Sequence, residues 1–243
     1  MMQTILLYSV VAGLATCLGG LLVVVIQKPG EKFLALTLGC AAGIMFGVAI
    51  LDLIPSAWVY GTPAKFFSGF GAGVLLLKIL DLILSKITLG VPRARDRIYL
   101  LNMGYLVAIG IALHDLPEGM AIAVGYEAAG QLGLLIALAI GLHNIPEGMA
   151  ISAPLKMAGM RGGTILLITG LTSIFTPLGT CIGLMLVSFS RYFISFLLAA
   201  AAGAMLYIVF GEIGPESRRR HPNYAKLGIA AGIMVILLIS LIH

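Results

Sequence analysis

Two ten-residue peptides in the middle of the chain repeat each other at an offset of 29 residues. Residues 113–122 read LHDLPEGMAI, and residues 142–151 read LHNIPEGMAI. In each peptide a histidine is followed four residues later by a glutamate, and residues four apart share one face of an α-helix. The pairs are His114 with Glu118 and His143 with Glu147. Each peptide therefore sets an imidazole beside a carboxylate.

These side chains predict a metal site. If the two helices face each other, two histidines and two glutamates offer four nitrogen and oxygen ligands for a borderline divalent ion such as zinc. Asp115 and Asn144 follow the histidines and add oxygen ligands beside the first set. A second ion could bind there, with Glu118 and Glu147 bridging the two.

A proline in each motif bears on the same site. Proline lacks an N–H and clashes with the carbonyl four residues earlier. Pro117 should free the carbonyl of Leu113, and Pro146 that of Leu142. We expect both helices to kink beside the histidine and to open a cavity there.

A purely structural role is the competing interpretation of these residues. A lone histidine in a membrane helix can simply donate a hydrogen bond to a neighbouring helix. A charge near the bilayer centre, however, costs at least about 2.5–3.5 kcal/mol on insertion scales. Two copies of one ionisable motif therefore favour a functional role.

The composition indicates which elements hold these residues. Of 243 residues, 60% are hydrophobic and 10% are charged, whereas soluble domains are about 25% charged. We predict an all-α polytopic membrane protein with one domain over residues 1–243 and no soluble domain. A spanning helix needs about 20 mostly apolar residues, and eight segments qualify, so we predict eight transmembrane helices. They lie at about 3–26, 33–54, 65–84, 98–124, 131–152, 163–187, 192–213 and 224–242.

The basic residues predict the orientation in the membrane. Twelve of the fifteen follow the first, third, fifth and seventh segments, and lysine and arginine favour cytoplasmic loops. They are Lys28, Lys32, Lys86, Arg93, Arg95, Arg97, Lys156, Arg161, Arg218, Arg219, Arg220 and Lys226. Both termini should therefore face away from the cytoplasm. The predicted location is the inner membrane. The positive charge reflects topology and not nucleic-acid binding, and residues 218–220 need no partner beyond lipid headgroups.

A second sequence repeat relates the N-terminal part of the chain to the C-terminal part. Residues 41–55 match residues 201–215 at an offset of 160, including Asp52-x-x-Pro against Glu212-x-x-Pro. Segments 1–3 should thus repeat as segments 6–8, with opposite direction. The predicted architecture is a 3+2+3 inverted-repeat bundle, a plan frequent in secondary transporters.

The remaining acidic residues divide into two sets. Asp52 and Glu212 are repeat mates near helix ends and could mark the entry and exit of an ion path. Asp81 has two alternative roles: it joins Glu212 on the cytoplasmic side of the ion path, or it simply pairs with Lys78. Four others are expected to be solvated loop residues: Glu31, Asp96, Glu127 and Glu216.

At its His-x-x-Pro-Glu-Gly motifs the chain resembles the ZIP family (ZRT/IRT-like proteins) of zinc and iron transporters, most closely its bacterial members. The resemblance implies uptake of divalent metal into the cytoplasm through a binuclear site. By this resemblance His114, Glu118, His143 and Glu147 match the primary site, and Asp115 and Asn144 the second. Glu212 and Asp52 match acidic positions of helices 7 and 2 in the family.

The chain departs from the family pattern in three places. Its helix 4 motif reads His-Asp where many relatives have His-Asn, which could favour manganese or iron. The loop after helix 3 lacks a histidine-rich tract, and Gly211 stands where a histidine is common.

The predicted function is transport of a divalent cation, with zinc ahead of iron, manganese, cadmium and cobalt. Metal is the substrate, and no cofactor is expected. The alternative is a membrane-embedded metal-dependent enzyme, but the chain has no His-Glu-x-x-His motif and no nucleophile elbow. A metal sensor would need an output domain.

A homodimer is possible. Acid should inhibit metal binding, because a histidine must be neutral to bind a metal ion.

Overall fold

A computed structural model describes residues 2–26, 29–88, 95–128, 130–186 and 191–240. Lys28 and Arg93 of the predicted basic loops lie outside these ranges, as do the last residues of the predicted segments 163–187 and 224–242. Nearly all described residues are helical, and they include no strand. The prediction of an all-α membrane protein is confirmed.

The described helices fall into eight rods, named α1–α8 in chain order. The unbroken ones are α1 (Met2–Val25), α3 (Pro63–Thr88), α4 (Arg95–Ala128), α5 (Gly130–Met157) and α8 (Pro222–Ser240). The rod α2 joins Glu31–Val48, Ala49–Leu53 and Ile54–Tyr60. The rod α6 joins Gly162–Ser173 and Phe175–Leu186. The rod α7 joins Arg191–Ile208, Val209–Ile213 and Gly214–Arg220.

Most helices extend beyond their predicted ends. Predicted segment 33–54 runs on as helix to Tyr60, and segment 192–213 runs on to Arg220. The first extension begins at Pro55 and the second contains the polar stretch 216–220, and neither breaks the helix. Within the described residues, seven helices are long and apolar enough to cross a membrane, and Pro222–Leu238 is shorter. The count of eight spans therefore stays a prediction.

Two π-helical turns interrupt α2 and α7 at equivalent positions. They span Ala49–Leu53 and Val209–Ile213, and each ends two residues before a proline, Pro55 or Pro215. A proline removes a helix donor and crowds the carbonyl four residues earlier, and a wider turn relieves that crowding. The π turns carry Asp52 and Glu212, one in each.

The rods pack as two bundles. Helices α1, α4, α5 and α6 form the first bundle, in which α5 lies along α1 and α4 lies along α6. Helices α2, α3, α7 and α8 form the second, in which α8 lies along α2 and α7 along α3. The main contacts between the bundles are those of α4 with α7 and of α5 with α2. The helices with the repeated motifs therefore sit in one bundle and border the other.

One prediction about the end of α7 is wrong. Glu216, expected as a solvated loop residue, is only 2% exposed and lies within the helix Gly214–Arg220. Arg219 donates to it from Nε at 2.7 Å and from Nη2 at 2.9 Å, and Arg220 also donates to it. Two of the three arginines at 218–220, expected to need no partner beyond lipid headgroups, thus have a protein partner. Local helix spacing of three and four residues brings these side chains together.

Candidate metal centre

The four motif side chains converge at the interface of α4 and α5. His114 and Glu147 are completely buried, and Glu118 and His143 are nearly so. Both helices stay α-helical through Pro117 and Pro146. The spacing of four residues sets each histidine over its glutamate, and the packing of α4 on α5 brings the two pairs face to face.

Glu118 contacts the histidines of both helices. Its Oε1 accepts a hydrogen bond from Nε2 of His143 at 2.7 Å, and it lies 2.8 Å from Nε2 of His114. On the opposite side, Oε1 of Glu147 lies 3.9 Å from Nε2 of His114. The two histidine rings are 6.4 Å apart between centroids. The predicted convergence of the four side chains is therefore present.

Two ligand groups can be drawn from these residues. One combines His114, His143 and Glu147, and the other combines His114, Asp115 and Glu118. In each, one ligand atom per residue lies within 4.8 Å of the others. Zinc ligands lie about 2.0–2.2 Å from the ion, so side-chain shifts of about an ångström would close either group around a metal.

Unpaired polar atoms concentrate in the same place. Buried polar atoms in proteins almost always have a hydrogen-bond partner, and exceptions can mark the site of an ion. Each of six neighbouring residues has at least one buried nitrogen or oxygen without such a partner: His114, Asp115, Glu118, His143, Asn144 and Glu147. A divalent cation coordinated by these atoms would satisfy them, so the donor set fits a metal.

The charge of the site favours a cation. Asp115, Glu118 and Glu147 are three carboxylates at no more than 5% exposure. In the described part of the chain Glu118 pairs with both histidines and Glu147 with His114, and none of the three carboxylates pairs with lysine or arginine. Uncompensated buried carboxylates are costly, and a divalent ion offsets that cost. This arrangement has the ligand chemistry to bind a cation.

Asn144 differs from the other five residues in its contacts. Its amide Nδ2 donates a hydrogen bond to the carbonyl of Ala12 on α1 at 3.1 Å. Its Oδ1 is buried without a partner, so one oxygen remains for an ion. Asp115 joins a ligand group with His114, whereas the amide of Asn144 is held by α1.

Asp52 and Glu212 lie outside both ligand groups. Asp52 is exposed in the π turn of α2, and Glu212 is half-buried in the π turn of α7. Asp81 of α3 accepts a hydrogen bond from Tyr207 of α7 at 3.1 Å. That contact ties α3 to α7 and was not predicted from the Lys78–Asp81 spacing.

Thr176 of α6 is a neighbour of the site that the sequence did not single out. Its Oγ1 is fully buried on the side of Asp115, and its backbone carbonyl lies against Gly119 of α4. A threonine hydroxyl usually bonds the carbonyl four residues earlier within its own helix, as Thr172 does. A threonine that lacks this bond therefore cannot be recognised from the sequence.

Glycines set how closely the neighbouring helices approach the motifs. A Cβ on Gly119 would collide with the carbonyl of Thr176, and one on Gly179 with the carbonyl of Leu116. The same holds between α5 and α1, where Gly148 meets the carbonyl of Thr16 and Gly19 that of Ile145. Small residues allow such close contacts between membrane helices. The motif glycines thus pack each ligand-bearing helix onto a neighbour.

Comparison with known proteins agrees with this chemistry. A family model described as ZIP Zinc transporter matches residues 94–240. The zinc transporter ZupT of Corynebacterium aurimucosum is 32% identical, with 93% of this chain and 91% of the relative aligned. ZupT of Chlorobium phaeovibrioides is 31% identical over 96% of this chain and 95% of its own length. The zinc transporter ZTP29 of Arabidopsis thaliana is 33% identical over 48% of this chain and 49% of its own length.

These matches confirm the predicted family and the prediction of a transporter rather than an enzyme. They cover nearly the whole chain, and the family model includes both His-x-x-Pro-Glu-Gly motifs. Together with the apolar helices, they identify a multi-pass membrane protein. The chain belongs to the ZIP family of divalent metal transporters.

Proposed function

We propose that this protein carries zinc into the cytoplasm through a binuclear site between α4 and α5. The observation that carries the proposal is the convergence of His114, Glu118, His143 and Glu147, buried and with partnerless atoms. Asp115 and Asn144 are the proposed additional ligands of the second ion, with Glu118 and Glu147 bridging. Iron, manganese, cadmium and cobalt are the other candidate substrates.

The names of the relatives support zinc as the substrate. The ZupT proteins and ZTP29 are named zinc transporters. Imidazole and carboxylate ligands suit zinc, whereas an additional carboxylate such as Asp115 suits harder ions as well. Zinc is therefore the proposed main substrate, with manganese and iron as the competitors to test first.

The proposed mechanism is alternating access. All the proposed ligands of the central site lie on α4 and α5 of the first bundle, and these helices border α7 and α2 of the second. A shift of one bundle against the other would open the site first to one side and then to the other. The close glycine contacts of α4 with α6 and of α5 with α1 support movement of the first bundle as a unit.

The proposed entry and exit lie at the two π turns. Asp52 would attract a cation at the outer side, and Glu212 would receive it at the cytoplasmic side. Support comes from their location in π turns, which occur frequently at functional sites, and from the exposure of Asp52. Both are proposed as path residues and not as ligands of the central site.

The orientation and the repeat are part of the proposal. The distribution of basic residues supports termini that face away from the cytoplasm of the inner membrane. The inverted repeat is supported by matched contacts, since Gly19 and Gly179 both press on the residue just before a motif proline. A homodimer remains a prediction, to be tested by the mass of the protein in lipid nanodiscs.

Metal uptake into proteoliposomes tests the proposed function. Purified protein would be reconstituted, and uptake of zinc, iron, manganese and cadmium compared. Glu118→Ala and Glu147→Ala should each abolish uptake, while Glu31→Ala, which removes an exposed carboxylate paired with Arg220, should retain it. Unimpaired uptake by both glutamate variants would exclude this site.

A further inference from the structure

A groove runs along the first bundle between α1 and α5, apart from the metal centre. Its volume is about 630 Å³, within the range of about 300–1,000 Å³ typical of ligand pockets. Its lining extends from Leu7 to Leu18 on α1 and from Leu134 to Ile145 on α5. Tyr8 is the only lining side chain with a polar group, so the groove suits an apolar ligand.

The groove opens on a surface that faces lipid. Leu7 and Leu142 on its rim are 60% and 61% exposed, and Val11 and Leu138 are similarly exposed. In a multi-pass membrane protein an exposed row of large aliphatic side chains on a spanning helix contacts hydrocarbon. The groove is therefore continuous with the surface that the bilayer covers.

Its length matches one leaflet. From Leu7 to Leu18 the α1 helix rises about 16 Å, at about 1.5 Å per residue. Half of the roughly 30 Å hydrocarbon core is about 15 Å. A single acyl chain of a phospholipid extends over this distance, whereas a chain from the opposite leaflet would not reach the whole groove.

The two ends of the groove differ in a way that gives the lipid a direction. Near Leu7, the ring of Tyr8 packs against Tyr126 of α4 with centroids 6.4 Å apart. Tyrosines gather at the membrane–water interface, so this end lies toward the headgroups. The other end, at Leu18 and Ile145, lies just over one turn beyond the midpoint of α1 and close to the midpoint of α5, and so toward the bilayer centre.

We propose that this groove binds one acyl chain of a phospholipid from the leaflet that meets the N-terminal end of α1. This goes beyond metal transport and does not depend on it. The groove wall includes Ala12, whose carbonyl accepts the amide of Asn144, and Ile145, which follows Asn144 in α5. A bound chain therefore packs directly behind the ligand-bearing segment.

Gly141 allows the groove to be filled by substitution. A Cβ at this position would meet only the Cα of Ala12, at an ordinary contact distance of 3.6 Å. A phenylalanine there would extend from the groove lining into its space. Gly71 on α3 is the matched control, because a Cβ there meets nothing within 4 Å and the residue is exposed.

Photolabelling tests the proposal. The protein would be reconstituted in phosphatidylcholine vesicles that contain a phosphatidylcholine with a diazirine in one acyl chain. After illumination, labelled peptides would be quantified by mass spectrometry. Residues 134–145 should be labelled several-fold more than residues 67–79 of the exposed α3 surface. Gly141→Phe should lower the labelling of residues 134–145 several-fold, and Gly71→Phe should leave it unchanged.

Three results would overturn the proposal. The first is equal labelling of the two surfaces, and the second is labelling that Gly141→Phe does not lower or that Gly71→Phe lowers equally. The third is a disulfide between two copies of Leu138→Cys together with weak labelling, which would assign the groove to a second copy of the chain. If Gly141→Phe is not monodisperse in detergent, Leu138→Trp fills the groove from its rim, and the same labelling criteria apply.

Discussion

Glu118 on α4 accepts a hydrogen bond from His143 on α5 at 2.7 Å, so a carboxylate of one motif is bound to the imidazole of the other. The same oxygen lies 2.8 Å from Nε2 of His114. A metal that binds the Nε2 atoms must replace these contacts. If the proposed site binds a metal, Glu118 would exchange its histidine partners for the ion.

Replacing Glu118 by glutamine should weaken zinc binding at least about 10-fold. Even residues that only support metal ligands cost about 10–100-fold on mutation, and Glu118 contacts both histidines directly. The amide keeps the shape of the side chain but loses its charge. Isothermal titration of the purified protein with zinc measures the change.

Glu31→Gln serves as the control for the Glu118 variant. It removes a carboxylate that is 52% exposed, paired with Arg220 and outside both ligand groups. Its zinc affinity should equal that of the unmodified protein. Equal affinity in Glu118→Gln would contradict a ligand role for Glu118.

Asp115→Asn should shift metal preference toward zinc. The substitution removes one of three buried carboxylates, and harder ions such as manganese depend more on charged oxygen ligands than zinc does. The ratio of manganese to zinc uptake in proteoliposomes should fall. A ratio that stays constant or rises would mean that Asp115 does not contribute to selectivity.

Acid should weaken zinc binding. Metal ligands must be deprotonated, and histidine exchanges its proton in the physiological range, so protons and zinc compete for His114 and His143. The apparent dissociation constant for zinc should rise as pH falls from about 7.5 to about 5.5. Affinity that is flat over this range would argue against histidine ligation.

Gly148→Val should destabilise the protein by about 1–3 kcal/mol, the usual cost of overpacking. A Cβ at this position collides with the carbonyl of Thr16, which a rigid helix cannot easily move. The comparison variant is Gly71→Val, where the added atoms meet open space. Thermal unfolding in detergent should show a lower midpoint for Gly148→Val than for Gly71→Val.

The pairing of each histidine with its glutamate was predictable because the spacing is local. A histidine and a glutamate four apart share a helix face in any α-helix, whereas the facing of the two helices was only a condition of the prediction. The contacts of Asn144 with Ala12 and of Asp81 with Tyr207 join residues more than 120 positions apart. No local pattern specifies such pairs.

Glu216 shows why a hydropathy profile misplaced the end of α7. The sequence GPESRRR is strongly polar, which is typical of a loop. Its charges, however, lie three and four residues apart and neutralise each other along one helix face. Ser217 adds a hydrogen bond to the carbonyl of Ala35 on α2 at 2.6 Å, which anchors the segment. Apolar content alone therefore underestimates helix length where ion pairs replace hydrophobic burial.

The glycine contacts have a consequence for protein design. Transplanting His-x-x-Pro-Glu-Gly onto two helices of another scaffold would copy the motif side chains. It would not copy the neighbouring helices on which Gly119 and Gly148 pack. The packing partners are backbone carbonyls of α6 and α1. The smallest unit that could be transferred to another scaffold is therefore the four helices α1, α4, α5 and α6. A designer who wishes to build such a centre must first build two tight helix pairs, and only then add the histidines.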